Sequence, residues 1–114
     1  MFRLKRILKT AEMMRMDAEN SEKGFCSADF LIENRFGLHA RPASVFVQTA
    51  LSFQSEISVH NLSTDMAADG KSVMSLLMLA ASTGTKIRIT ARGPDSREAL
   101  HLLGSLVRRG FDDE

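Results

Sequence analysis

The chain has 114 residues, 44% hydrophobic and 25% charged, with one cysteine and a net charge of +1. This is the size of one small domain plus a tail, and the composition of a globular protein rather than a disordered or fibrous one. No apolar run reaches the roughly 18 residues that a membrane span requires, and a lone Cys26 excludes an intramolecular disulfide or a cysteine-rich metal site and suits a reducing cytoplasm.

The positive charge is concentrated at the start. Residues 1–15 carry five Lys/Arg and one Glu, which leaves the other 99 residues with a net −3 and weakens a nucleic-acid role for the folded part. Phe2, Leu4, Ile7, Leu8 and Met14, interleaved with basic residues, have the pattern of a short amphipathic helix of the membrane-surface type. The following AENSEKG reads as a linker, and neither an uninterrupted apolar stretch nor a small-residue cleavage site marks a secretory signal. Residues 1–25 are therefore expected to be a basic N-terminal extension, either disordered or ahead of a true start at Met13, Met14 or Met16. The folded domain is expected over 26–114.

From Phe25 the pattern is regular. Ala28, Phe30 and Ile32 alternate with Asp29, Leu31 and Glu33, the period of a strand with one buried face. Asn34 to Gly37 is a turn, and a helix follows from Ala40 to about Ser52, with Pro42 tolerated in its first turn. Ile57 and Val59 mark a second strand, residues 61–65 a polar reversal, and Met66–Ala68 a short third strand. Ser72 stands as N-cap before the apolar run VMSLLMLAAS, predicted as a helix ended by Gly84. KIRITA is a fourth strand with Ile87 and Ile89 inward. Asp95 and Glu98 have the spacing of a capping box for a last helix, whose apolar face is predicted as Ala99, Leu102, Leu103, Leu106 and Val107. Arg108 and Arg109 suit its C-terminal end, and Gly110 stops it. The pattern implies a two-layer α+β domain with helices on one side of a sheet.

His39 lies in FGLHARPAS, between a glycine turn and a helix start. Backbone amides without intrahelical partners point toward that position, so a phosphoryl group on the ring would meet an anion-binding helix end. Arg41 could pair with its oxygens. On residue types and spacing alone, a merely capping or exposed histidine is still the slightly favoured reading. No nearby nucleophile and carboxylate complete a triad. His60 and His101 are too scattered to argue for a metal and are expected to be solvated, and Cys26 is expected to be a buried or half-buried thiol. Capping suffices to explain Ser72, although a helix N-terminus would also stabilise an added phosphate there. The cluster after it is too wide for one buried face, so Met74 and Leu77 are expected to be exposed as a docking patch, with a partly covered helix edge as the equal alternative.

GLHARPAS followed by VFVQTA, and GKSVMSLLMLAASTGTKIRITARGPDSREAL, resemble the HPr family of histidine-containing phosphocarriers of the bacterial phosphoenolpyruvate-dependent phosphotransferase system. The resemblance covers about residues 27–110. It implies an open-faced β-sandwich, a four-stranded antiparallel sheet covered on one face by three helices. It also implies a cytoplasmic monomeric carrier without cofactor or metal, not an enzyme. His39 then corresponds to the histidine phosphorylated on Nδ1 by enzyme I, which passes the group to enzyme IIA proteins. Arg41 corresponds to the arginine that assists, and Ser72 to a serine phosphorylated in some bacteria by HPr kinase/phosphorylase. Two departures exist. The segment before Ser72 is about two residues longer than usual, and LLML with the terminal GFDDE is similar to NPr, the carrier of the nitrogen-related branch. The alternatives are thus an NPr-type regulatory carrier, or a non-catalytic binding module.

Overall fold

Alternation of buried and exposed side chains builds most of the sheet. In the computed structural model, which describes residues 24–113, the chain runs β1 (Phe25–Leu31), α1 (Ala40–Ala50), β2 (Glu56–Asn61), β3 (Met66–Asp69), α2 (Val73–Leu77), β4 (Lys86–Arg92), α3 (Ser96–Arg108) and a closing 3₁₀ turn (Gly110–Asp112). Most of the basic extension expected over 1–25 lies outside the described residues.

The strands form one antiparallel sheet of order β1-β4-β2-β3. Register brings Cys26 opposite Ala91, Ala28 opposite Ile89 and Phe30 opposite Ile87; on the other side of β4, Ile57 faces Ala91 and Val59 faces Ile89. Because successive side chains point to opposite faces, these residues share one buried face, which the helices cover. The opposite face is polar: Arg88 makes a two-pronged ion pair with Asp29 on the neighbouring strand. The fold is thus the expected open-faced, four-stranded α+β sandwich with three helices.

Three details differ from the sequence expectation. The helix predicted through residue 82 stops at Leu77, because the chain beyond it is bonded elsewhere. The buried Asn61 amide donates to the Leu79 carbonyl at 2.9 Å, and the Ala81 carbonyl accepts from Leu38 N at 2.9 Å. Ala80 takes φ +50° to make the descent. On α3 the buried stripe contains Leu100 where Leu102 was expected, and Leu102 is 45% exposed. Gly104 explains the rotation: a Cβ there would lie 2.5 Å from Phe30 Cζ, so the helix rests on the sheet along its Leu100–Gly104 side.

The third difference is Asp95. It occupies the N-cap position of α3 but makes no side-chain capping bond. Its carboxylate instead accepts from Gln54 N and Ser55 N at 2.9 Å each and from Ser55 Oγ, tying the α1–β2 loop to the start of α3. The Ser55 hydroxyl first, and the Gln54 amide second, hold the Asp95 carboxyl below the usual carboxylate value against the opposing effect of desolvation. A depressed folded value gives stability that is present above the unfolded value of about 4 and is lost as pH falls through the folded one. Asp95→Ala is therefore expected to lower the urea midpoint at pH 7. The gap to wild type should narrow progressively below pH ~4, as measured by urea titrations across that range.

Candidate functional site

The turn before α1 is held on several sides. Gly37 has φ +69°, and a Cβ there would lie 2.7 Å from the Ala81 carbonyl oxygen, so both the turn and the close approach require glycine. Gly37 N donates to Asn34 O at 3.1 Å, Asn34 Nδ2 donates back to Gly37 O at 2.7 Å, and Thr83 Oγ1 bonds the carbonyls of Asn34 and Arg35.

This frame leaves His39 as the N-cap residue of α1, extended at φ −96°, with no capping bond from its side chain. Of the capping or merely exposed histidine slightly favoured on residue types, the structure shows no side-chain capping. Pro42 has no N–H and Ala43 N is taken by the His39 carbonyl, so the open donors at this helix end reduce to the amides of Ala40 and Arg41.

The His39 ring is half-exposed. Its Nε2 lies 3.1 Å from Asp113 Oδ2, and Phe36 meets it edge-on with centroids 6.0 Å apart. The same Asp113 oxygen accepts from Asn34 Nδ2 at 3.2 Å. Hydrogen bonding from His39 chiefly, then from Asn34, with help from the charges of His39 and Arg41, holds the Asp113 carboxyl below its usual range despite its desolvation. A carboxylate accepts but does not donate, so Nε2 carries the proton of the neutral ring and Nδ1 keeps its lone pair. No described residue bonds Nδ1.

His39 and Asp113 line a shallow basin with Phe36, Arg41, Arg108 and Arg109. Arg41 is exposed and makes no hydrogen bond to a described residue. Arg109 is forked onto Asp112 at 3.0 and 3.1 Å, while Arg108 stacks over the Phe30 ring. Arginines outnumber carboxylates along the basin, with Arg35, Arg41, Arg108 and Arg109 against Glu33 and Asp113.

Ser72 lies outside this basin, half-buried at the start of α2, where its Oγ accepts from Ser75 N at 3.1 Å. Met74 is 70% exposed and Leu77 is at the margin of exposure; Met78, one turn after Met74, is 71% exposed and was not anticipated. His60 bonds Asp65 at 2.9 Å and His101 is exposed on α3. Cys26 is buried with its Sγ 3.4 Å from Ser96 Oγ. Among the described residues no group of three His, Cys, Asp or Glu could hold a metal, and no helix is long and apolar enough to cross a membrane. Asp113 is the site residue that sequence reasoning missed. It is 74 positions from His39, and the only signal was an acidic run after Gly110.

Residues 26–109 match the family model described as PTS HPr component phosphorylation site. The chain is 43% identical over 82 residues to phosphocarrier protein HPr of Neisseria meningitidis, covering 72% of this chain and 90% of that protein. It is 40% identical over 88 residues to the multiphosphoryl transfer protein of Salmonella typhimurium, covering 76% of this chain but spanning only 23% of that protein's length. Among solved structures, HPr-C-His from Thermoanaerobacter tengcongensis superposes with a TM-score of 0.72 at 38% identity, over 77% of this chain and 97% of that one.

Proposed function

We propose, because the chain belongs to the HPr family of phosphotransferase-system phosphocarriers, that His39 Nδ1 accepts a phosphoryl group from phosphorylated enzyme I and passes it to an enzyme IIA. The observation that carries this reading is the division of labour on one ring. Nε2 is engaged by Asp113, while no described residue bonds Nδ1, on a ring that stands at the start of α1 and shares its basin with Arg41. Attack by the Nδ1 lone pair forms a new N–P bond as the donor's N–P bond breaks, and the electron pair returns to the donor. The two amides at the helix end and the Arg41 guanidinium stabilise the phosphoryl oxygens. The group sits on a half-exposed ring, so a partner nucleophile can reach it. The protein is an intermediate in transfer, not a turnover enzyme.

The test is incubation with enzyme I and phosphoenolpyruvate. Acid-labile phosphate on the chain is expected, and its absence would leave a non-catalytic binding module. Arg41→Ala is expected to slow phosphoryl acceptance about 10- to 100-fold, the worth of roughly one charge-assisted hydrogen bond, in a quench-flow measurement. An unchanged rate would remove Arg41 from the site. Competition between a sugar-specific and a nitrogen-branch enzyme IIA separates the general carrier from the NPr-type alternative, since the chemistry at His39 is the same in both.

Met74 and Leu77, with Met78 just after the end of α2, supply the apolar part of the partner surface. Ser72 is the proposed regulatory site, supported by its place in the GKSVMS segment and its half-exposed hydroxyl. Phosphorylation there esterifies the Oγ that caps Ser75 N and places a phosphate at the same helix end. HPr kinase with ATP should place acid-stable phosphate on the wild type and none on Ser72→Ala; no label on the wild type would leave Ser72 as a cap alone.

A further inference from the structure

The last described residues are built in a way that a loose chain end does not need. Gly110, Phe111 and Asp112 all have positive φ, at +69°, +60° and +57°, a left-handed run that is unfavourable for the two residues bearing a Cβ. Several contacts hold it. The Phe111 ring is in the core, the Arg109 fork clamps Asp112, and Asp113 N donates to Gly110 O at 2.9 Å. The outcome is that the Asp113 side chain, only 8% exposed, is set beneath the His39 ring. Asn34 Nδ2 fixes the same oxygen from the other side, and Asn34 is itself buried and tied to the Gly37 carbonyl.

We propose that Asp113 is a positioning residue for phosphoryl transfer: it locks His39 in the Nε2–H tautomer and holds that proton in place while Nδ1 gains and loses the phosphoryl group. The proposal rests on His39 being the phosphoryl acceptor. In the forward step the Nδ1 lone pair forms the N–P bond, the donor's N–P bond breaks, and the donor keeps its electron pair. The Nε2 proton does not move, so the ring becomes cationic, and the Asp113 carboxylate offsets that charge. On transfer out, the Nδ1–P bond breaks, the pair returns to Nδ1, and the ring is neutral again with its proton still on Nε2. No base has to take up or return a proton in either direction. A buried aspartate that orients a reactive histidine acts by the same electrostatics in hydrolytic triads, although here the histidine is the nucleophile itself.

The test uses the full chain labelled with ¹⁵N in histidine, as wild type, Asp113→Ala, Asp113→Asn and Asp113→Glu. Imidazole ¹⁵N shifts read the tautomer at about pH 8.5, two units above the ordinary imidazole value, and quench-flow with phosphorylated enzyme I reads acceptance. Wild type should show Nε2–H. In Asp113→Ala the Nδ1–H form should become populated and acceptance should fall about tenfold, the low end of what orienting partners of a histidine contribute. Asp113→Glu should recover part of both. Asp113→Asn keeps an oxygen for Asn34 but loses the charge, which separates loss of orientation from loss of the tail's own anchoring. A wild-type tautomer and rate in Asp113→Ala would overturn the proposal. So would a slower rate with an unchanged tautomer, which would make Asp113 a tie for the chain end only. Failure of the wild type to accept phosphate at all would instead refute the acceptor role of His39.

Discussion

His39→Ala should carry no acid-labile phosphate after exposure to enzyme I and phosphoenolpyruvate, under conditions that label the wild type fully. The substitution removes a ring nitrogen to which no described residue bonds, at a helix start that shares its basin with Arg41. The other two histidines offer no equivalent: His60 bonds Asp65 on the polar side of the sheet, and His101 is exposed along α3. The loss should be chemical and not structural. The His39 side chain caps nothing and among the described residues is hydrogen-bonded only to Asp113, while its backbone carbonyl, which closes the first turn on Ala43 N, remains. A near-wild-type urea midpoint should therefore accompany the loss of label. Retained label on His39→Ala would move the acceptor elsewhere.

Phe111→Ala should have the largest effect on stability, and its effect should reach the site. The ring is 2% exposed, and truncating a buried phenylalanine typically costs about 3–5 kcal/mol. That is a large share of the roughly 5–15 kcal/mol that stabilises a small domain. The same ring anchors the left-handed turn that delivers Asp113. The folded fraction of Phe111→Ala should consequently accept phosphate as slowly as Asp113→Ala does, and Phe111→Leu should be milder on both counts. Urea titration and quench-flow on the same preparations check this. A stability loss with unimpaired acceptance in the folded fraction would disconnect the tail from the chemistry.

Much of the architecture could be read from local patterns because the sheet has one wet face and one dry one. Period-two alternation in β1, β2 and β4 therefore reported burial directly, and all seven elements came out in order. Pattern failed where tertiary contacts overrode local preference. The run after Ser72 is apolar enough for a longer helix, but Asn61 and Leu38 bind the carbonyls of Leu79 and Ala81 and hold the chain beyond Leu77 on another path. Asp95 has the spacing of a capping residue, but three donors from the α1–β2 loop claim its carboxylate. Leu102 lost its buried place to Leu100 because a glycine one turn further on lets Phe30 approach.

The site divided in the same way. His39 and Arg41 are two positions apart in the chain and sit at a helix start that Gly37 and Pro42 announce, so local reasoning reached both. It could not choose between a capping and a reactive ring, because that depends on Asp113, which arrives from the opposite end of the domain. Met78 was not singled out, although it lies one turn after Met74 and is as exposed. A wide apolar run contains no mark of where its helix stops.

The central claim is that one nitrogen of one histidine carries the phosphoryl group, and ³¹P and ¹⁵N NMR of the phosphorylated chain test it most directly. The expected result is a single phosphohistidine, with the ³¹P–¹⁵N coupling to Nδ1 of His39 and a proton on its Nε2. Phosphate on Nε2 of His39, on His60 or His101, or on no histidine at all would contradict it.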